Sequence, residues 1–452
     1  MPDAAPFSPA DASGSSRRYS MAGDDCSLHF DLDTLTPKQQ QDHRENQLLT
    51  AMLQVALLGI ANPQDEVSLY DRFAEAPWAD ALNRYRTFFD RLGLQQPAPD
   101  RIGFYPMEGF YEAVARAPRA DGNGDQETLY MVSGSNRCLH QSEEWLTISR
   151  NLNSKLHFAE HAPAAGIPVP ATLLTHKGEL ESTTVSSFFA THQAPVMLKI
   201  QGLAGARNVT RVESQAQALA YVEEFADDLD VLLQAQINND HYVEMTADLT
   251  ISDQQVHMTN VRQILFANGL WVGNLLGPRV TLTAEQQSAL LGIGDYARDH
   301  GYTHPAGINL GIDFFLRRPT APDTLPPLLI TELNARWTGG LFPAEFLRQL
   351  EANDTDAVAF IDLCPEAEFE RYLDFIDDHL AQERSQVDVT EAQPAFSIVP
   401  MGFCPYPQQL DGTAQLFVWQ IVLGDFAAFA RERGATLSAL TLPTVPAIVL
   451  PS

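Results

Sequence analysis

Apolar positions change their spacing several times along the chain, and each change marks an element. Helical spacing runs over Pro37–Gly59 and closes in the apolar run Ala51–Ala61, which is too short to span a bilayer and predicts a buried helix. A second helix is predicted over Glu75–Leu92 and a short strand over Thr128–Val132, with Asp121-Gly-Asn-Gly-Asp125 as a turn before it. Helical spacing returns over Ser154–Ala165. It stops at Gly166-Ile-Pro-Val-Pro170, where the glycine ends the helix and the prolines force an extended exit.

Pro195–Ile200 reads as an apolar strand leading into a glycine-bearing loop, 201–208, and Ser214–Asp228 as a helix. Strand patterns over Val231–Gln236, Tyr242–Ser252, Gln255–Phe266 and Gly269–Leu276 follow one another across polar turns and predict an antiparallel sheet. An amphipathic helix over Ala284–His300 precedes two strands, Gly307–Phe315 and Leu328–Asn334, joined by a proline-rich loop. Acidic helices then alternate up to a last strand at Gln415–Leu423. Residues 1–28, rich in Pro, Ala, Ser and Asp, read as a disordered lead-in without the apolar stretch of a signal peptide.

Composition narrows the function classes. A chain of 452 residues with 45% hydrophobic and 19% charged residues is an ordinary globular protein of several domains. A net charge of −29 repels phosphate backbones and anionic lipid, which excludes nucleic acid and membrane as expected partners. Cys26, Cys138, Cys364 and Cys404 form no C-x-x-C pair and read as reduced thiols of a cytoplasmic protein. Only Lys38, Lys155, Lys177 and Lys199 are lysines, so their positions carry weight in so acidic a chain.

The densest chemistry lies in Gly311-Ile-Asp-Phe-Phe315 and Leu329-Ile-Thr-Glu-Leu-Asn-Ala-Arg336-Trp-Thr-Gly-Gly340. Strand alternation puts Glu332, Asn334 and Arg336 on one face. A hairpin would bring Asp313 beside Glu332. Two carboxylates and an amide oxygen suit Mg²⁺, and a guanidinium beyond them suits an anionic intermediate.

This arrangement resembles the metal-binding end of the ATP-grasp superfamily, which includes D-alanine–D-alanine ligase and biotin carboxylase. The rest of the chain extends the resemblance over roughly residues 150–345. Lys155 precedes the Gly166-Ile-Pro-Val-Pro170 exit, and Lys199 ends an apolar strand before Gly202 and Gly205. Leu233-Gln-Ala-Gln-Ile237 and His241-Tyr-Val-Glu-Met245 follow in the family's order.

The resemblance implies an α/β (α+β) ATP-grasp fold and a set of roles. Lys155, Lys199, Gly202, Gly205, Gln234, Gln236, Ile237 and Glu244 would bind ATP, with Arg207 as a further phosphate contact. Asp313, Glu332 and Asn334 would hold Mg²⁺, or Mn²⁺ in its place, and Arg336 would be catalytic. Arg262, Gly339 and Gly340 are weaker candidates for substrate contact, and Arg262 reads equally as a structural ion pair. Trp337 is expected to pack against the metal hairpin. The implied domains are an N-terminal α/β pre-grasp domain (29–150), a small lobe (151–228), a large lobe with the metal site (229–350) and a C-terminal α+β extension (351–452).

The implied activity is ADP-forming ligation of a small-molecule acid to an amine through an acyl phosphate, similar to that of bacterial natural-product peptide ligases. Carboxylation or a purine-type ligation on the same site, and non-catalytic nucleotide binding, are the competing expectations. A homodimer is compatible with all of them.

Overall fold

The computed structural model describes residues 16–120, 126–193, 195–202, 209–226, 228–267, 270–277, 282–352, 355–381, 394–410 and 412–433. The expected turn at 121–125, Gly205 and Arg207 lie outside the described residues.

Three sheets organise the chain. The first is parallel and joins β1 (Arg17–Ser20), β2 (Glu66–Tyr70), β3 (Ile102–Tyr105) and β4 (Gln126–Leu129) in the order β3-β2-β1-β4. Its central strand β1 belongs to the segment expected to be disordered, which corrects that expectation for residues 16–28. Four residues with two arginines give no apolar pattern. The strand is stable because its charge is answered from far away. Arg18 donates from Nε to Glu127 Oε2 at 2.9 Å, and Ser20 donates to Glu127 Oε1 at 2.7 Å. Arg18 and Glu127 are both buried, and such a pair is tolerated only with its hydrogen bonds made.

The helix Pro37–Ile60 packs beside this sheet. Thr36 and Gln39 close a capping box at its start, and proline occupies its first turn, where its missing N–H costs nothing. Helix Trp78–Arg91 follows the expected course and buries Trp78, Tyr85 and Phe89.

The second sheet is the small lobe: β5 (Thr172–His176), β6 (Val196–Lys199), β7 (Val209–Val212) and β8 (Asp230–Ala235), ordered β5-β8-β6-β7. Strand β8 was expected in the large lobe, because it opens the run of strand patterns after residue 228. It pairs instead with β5 and β6, with Leu233 opposite both Leu173 and Leu198. The helix Lys155–His161 was expected in the small lobe. Its Phe158 and Ala162, the residue just after it, pack into the large-lobe core with Ile312 and Phe314.

The third sheet contains β9 (Tyr242–Ile251), β10 (Val256–Ala267), β11 (Leu270–Leu276), β12 (Ile308–Arg317), β13 (Leu328–Asn334), β14 (Ala357–Pro365), β15 (Phe396–Phe403), β16 (Gln408–Leu410) and β17 (Thr413–Gly424). The order is β13-β12-β9-β10-β11-β14-β17-β15, with β16 on β17. Residues after 351 therefore continue the large-lobe sheet through β11–β14 pairing rather than forming a separate extension. They also share one core with the N-terminal domain, where Tyr85, Phe89, Phe346, Phe403 and Trp419 meet. The four cysteines are free, and no helix among the described residues is long and apolar enough to cross a membrane.

Candidate functional site

Strands β12 and β13 pair antiparallel with Asp313 opposite Glu332 and Gly311 opposite Asn334, as the alternation predicts. Asn334 donates from Nδ2 to Asp313 Oδ2 at 3.0 Å. On the other side of β12, Asp313 faces Thr246 and Phe315 faces Glu244. Glu244, Thr246 and Asp248 therefore line the same sheet face as the two carboxylates.

Lys155, at the start of its helix, reaches this face and donates to Glu332 Oε1 at 2.7 Å. Lys199, at the end of β6 in the small lobe, lies within the electrostatic reach of Glu332, Lys155, Glu244 and Asp313. Two lysines and three carboxylates thus meet where the two lobes face each other.

Their titration reflects the crowding. Burial, reinforced by Glu332, raises Asp313 to about 6. Burial also raises Glu244 to about 7, with Asp313 adding repulsion and Lys199 opposing it. Burial pushes Glu332 up too, but Lys155, Arg336 and Lys199 outweigh it and hold Glu332 below the usual carboxylate range. Burial lowers Lys199 against the attraction of Glu332. Negative charge is concentrated on Glu332, and a cation already rests there.

Arg336 lies one turn past β13 and is clamped from three sides. It donates from Nη1 to Asn153 Oδ1 at 2.7 Å and from Nε to the Tyr130 hydroxyl at 3.1 Å. Its carbonyl accepts from Asn309 Nδ2 at 2.8 Å, and the next amide, of Trp337, donates to the Tyr130 carbonyl at 3.1 Å. Asp25 Oδ1 stands 4.0 Å from its Nε. The pre-grasp domain thus reaches the site through Asp25 and Tyr130. A pocket beside Arg336 is lined by Asp25, His29, Asn153, Lys155, Gln201 and Gly202.

Gly202 has φ of +103°, and a Cβ there would stand 2.3 Å from the Phe30 ring. Glycine is needed both for the backbone and for the contact. Gln234 is buried on β8 and donates to Thr172 Oγ1 at 3.2 Å, while Gln236 is exposed and Ile237 half-buried in the linker toward β9.

Arg262 takes the structural one of its two expected roles. It is 1% exposed, pairs with Asp248 and Asn260, and donates to Thr338 Oγ1 at 2.8 Å. Thr338 in turn donates to Asp248 Oδ1 at 2.9 Å. A Cβ on Gly340 would lie 1.8 Å from Arg262 Nε, and one on Gly339 would lie 2.6 Å from the Trp271 ring. These residues lock the turn that carries Arg336, and Arg262 is enclosed beneath it. Trp337 is buried, with Phe342 at 5.1 Å and Tyr19 at 6.3 Å between ring centroids.

Among the described residues no group of three or more His, Cys, Asp or Glu is arranged to hold a metal ion. The candidate set is instead two carboxylates and an amide.

Solved structures share this arrangement of lobes. N5-carboxyaminoimidazole synthetase from Staphylococcus aureus, solved with ADP, matches with a TM-score of 0.53 at 12% identity over 94% of this chain and 97% of that one. The chain has the ATP-grasp fold. N5-carboxyaminoimidazole synthase from Aspergillus clavatus, solved with ADP and 5-aminoimidazole ribonucleotide, matches with a TM-score of 0.52 at 15% identity over 94% and 99%. Phosphoribosylamine–glycine ligase from Thermotoga maritima matches with a TM-score of 0.51 at 12% identity over 92% and 94%. No family model and no curated protein matches by sequence. The ATP-grasp matches span the chain from the pre-grasp domain into β14–β17, in keeping with the continuous sheet.

Proposed function

We propose that this protein is a Mg·ATP-dependent ligase that activates a small carboxylic acid as an acyl phosphate and joins it to an amine, releasing ADP and phosphate. The observation that carries the reading is the meeting of Lys155 and Lys199, half of the chain's lysines, with Glu244, Asp313 and Glu332 between two lobes of an ATP-grasp fold.

The residues fit the nucleotide and its metal. Asp313, Glu332 and Asn334 supply oxygen atoms on adjacent strand positions, and Glu332 already holds a positive group. These three would hold Mg²⁺ or Mn²⁺, which when bound offsets charge on the β and γ phosphate oxygens. Lys155 and Lys199 would neutralise phosphate oxygens as point charges, and Gly202 lets backbone approach them. Glu244, on the same sheet face, would bind the nucleotide's sugar. Arg336, fixed by Asn153 and Tyr130, would hold the transferring phosphoryl group and the acyl phosphate in line, which is positioning rather than acid–base work. The enclosure between lobes and the pre-grasp domain protects the acyl phosphate from water.

A second reading is ATP-dependent carboxylation of an amine, favoured by the match along nearly the whole chain to carboxyaminoimidazole synthetases. Bicarbonate dependence separates the two. The substrates, cytoplasmic location and a homodimer belong to the same proposal.

Positional isotope exchange tests it. ATP labelled with ¹⁸O in the β–γ bridge should scramble its label only when an acid substrate is present, because acyl phosphate formation is reversible. Scrambling with bicarbonate alone selects the carboxylase. Binding of Mg·ATP without scrambling under any acid refutes both.

A further inference from the structure

We propose that His29 is the proton acceptor of the amide-forming step, taking a proton from the amine as its nitrogen attacks the acyl phosphate. The proposal rests on the ligase reading above.

His29 ends the helix Asp25–His29 and lines the pocket that contains Arg336, Lys155 and Gly202. Its imidazole lies beside Asn153, whose side-chain Oδ1 accepts from Arg336 Nη1 at 2.7 Å. The imidazole therefore neighbours the residue that holds the guanidinium assigned to the acyl phosphate. A neutral imidazole carries one N–H and keeps a lone pair on its other nitrogen, which is the form a base requires.

The helix end is held firmly. Arg150 donates from Nε to the Leu28 carbonyl at 2.8 Å, and the Phe30 amide donates to the Cys26 carbonyl at 2.9 Å. The Phe30 ring packs on Gly202 of the phosphate loop. His29 thus sits between Gly202 and the arginine that would orient the acyl group. Asp25, the carboxylate nearest to it along the helix, is already engaged by Asn46 Nδ2 at 2.7 Å and faces Arg336.

The charged groups around His29 are Lys155, Arg336 and Arg150 from three other elements, and Asp25 from its own. Burial, with Lys155, Arg336 and Arg150 adding to it, lowers the imidazole to about 3, so it is neutral at physiological pH. Bound phosphates would offset Lys155 and Arg336. Its proton affinity would then rise when the reacting groups are in place.

The step balances. The amine lone pair forms the C–N bond, the acyl C–O bond breaks, and phosphate leaves with that electron pair. The proton passes from nitrogen to His29 and then to the departing phosphate, which restores the neutral imidazole.

The experiment compares two nucleophiles in the full-length protein, wild type and His29→Gln, with Mg·ATP and the twenty amino acids as the acid pool. Hydroxylamine is unprotonated near neutral pH and needs little help from a base, so it reports acyl phosphate formation as hydroxamate. The amino groups of the pool report the second step as amide. Glutamine keeps a polar side chain of similar reach but lacks the basic nitrogen.

The expected result is a split between the half-reactions. Hydroxamate formation should stay within about threefold of wild type, amide formation should fall about 10²- to 10⁴-fold, and the acid limb of its pH profile should vanish. Equal loss of both products, or retention of both, overturns the assignment. His29→Asn, with Mg·ADP affinity measured by calorimetry, separates misfolding from loss of the base. Absence of both products in the wild type removes the ligase reading, and the proposal with it.

Discussion

Lys155 Nζ donates to Glu332 Oε1 at 2.7 Å, bridging the start of a helix to the strand that carries the candidate metal ligands. The lysine occupies a carboxylate oxygen that a divalent cation would take. In the nucleotide-free protein the two cations would therefore compete. Lys155→Met should raise the affinity for Mn²⁺ alone by about 3- to 10-fold and yet reduce ATP-dependent turnover by about 10²-fold or more. Electron paramagnetic resonance of free Mn²⁺, beside a steady-state assay, checks both directions. Weaker Mn²⁺ binding would mean that Lys155 supports the cation site rather than standing in for it.

Arg262 and Asp248 form a fully buried ion pair that braces Thr338 and the turn beyond Arg336. Removing one partner strands the other charge. Arg262→Leu or Asp248→Leu should each cost about 3–5 kcal/mol, and the double variant should recover part of it. Chemical denaturation of the four proteins measures the coupling. Additive losses would show that the pair contributes no mutual stabilisation.

Gly340 has no room for a side chain, since its Cβ would meet the buried Arg262 guanidinium. Gly340→Ala should destabilise the protein by about 1–3 kcal/mol and displace the Arg336 turn, lowering kcat more than nucleotide affinity. Unchanged kcat in a stable variant would separate that turn from catalysis.

Glu244 has a folded-state pKa raised to about 7 by burial first and by Asp313 next. A carboxyl whose folded pKa exceeds its unfolded one favours folding when protonated. Its contribution is complete below about pH 4 and is lost as pH rises through about 7. Glu244→Gln should therefore raise stability at pH 8 by on the order of 1–2 kcal/mol, change it little at pH 4, and weaken nucleotide binding. Melting curves at the two pH values check the sign.

The placement of the candidate site was legible because its residues sit in short, local patterns. Glu332 and Asn334 are two apart on one strand, Asp313 lies on its hairpin partner, and Lys155 and Lys199 stand out in a chain with few lysines. The turn residues Gly339 and Gly340 stand out in the sequence, but the contacts that require them do not. The Arg262 side chain beneath Gly340 arrives from a strand more than seventy residues earlier.

The share of the N-terminal domain in the site was hidden for a different reason. Strand β1 is four residues long, polar, and stabilised by Glu127 more than a hundred residues away, so neither period nor propensity marks it. With β1 read as disorder, Asp25 and His29 could not be placed beside Arg336. The same lack of local signal misassigned β8 and separated β14–β17 from the large-lobe sheet, because pairing partners are set by tertiary context.

The most direct test of the central claim is release of ADP and phosphate from Mg·ATP with pooled amino acids and other small acids, for wild type, Lys199→Ala and Glu332→Ala. The expected result is pool-dependent, stoichiometric release by the wild type that falls by at least about 10²-fold in both variants. Failure of the wild-type protein to bind Mg·ATP, or release unaffected by both substitutions, would contradict it.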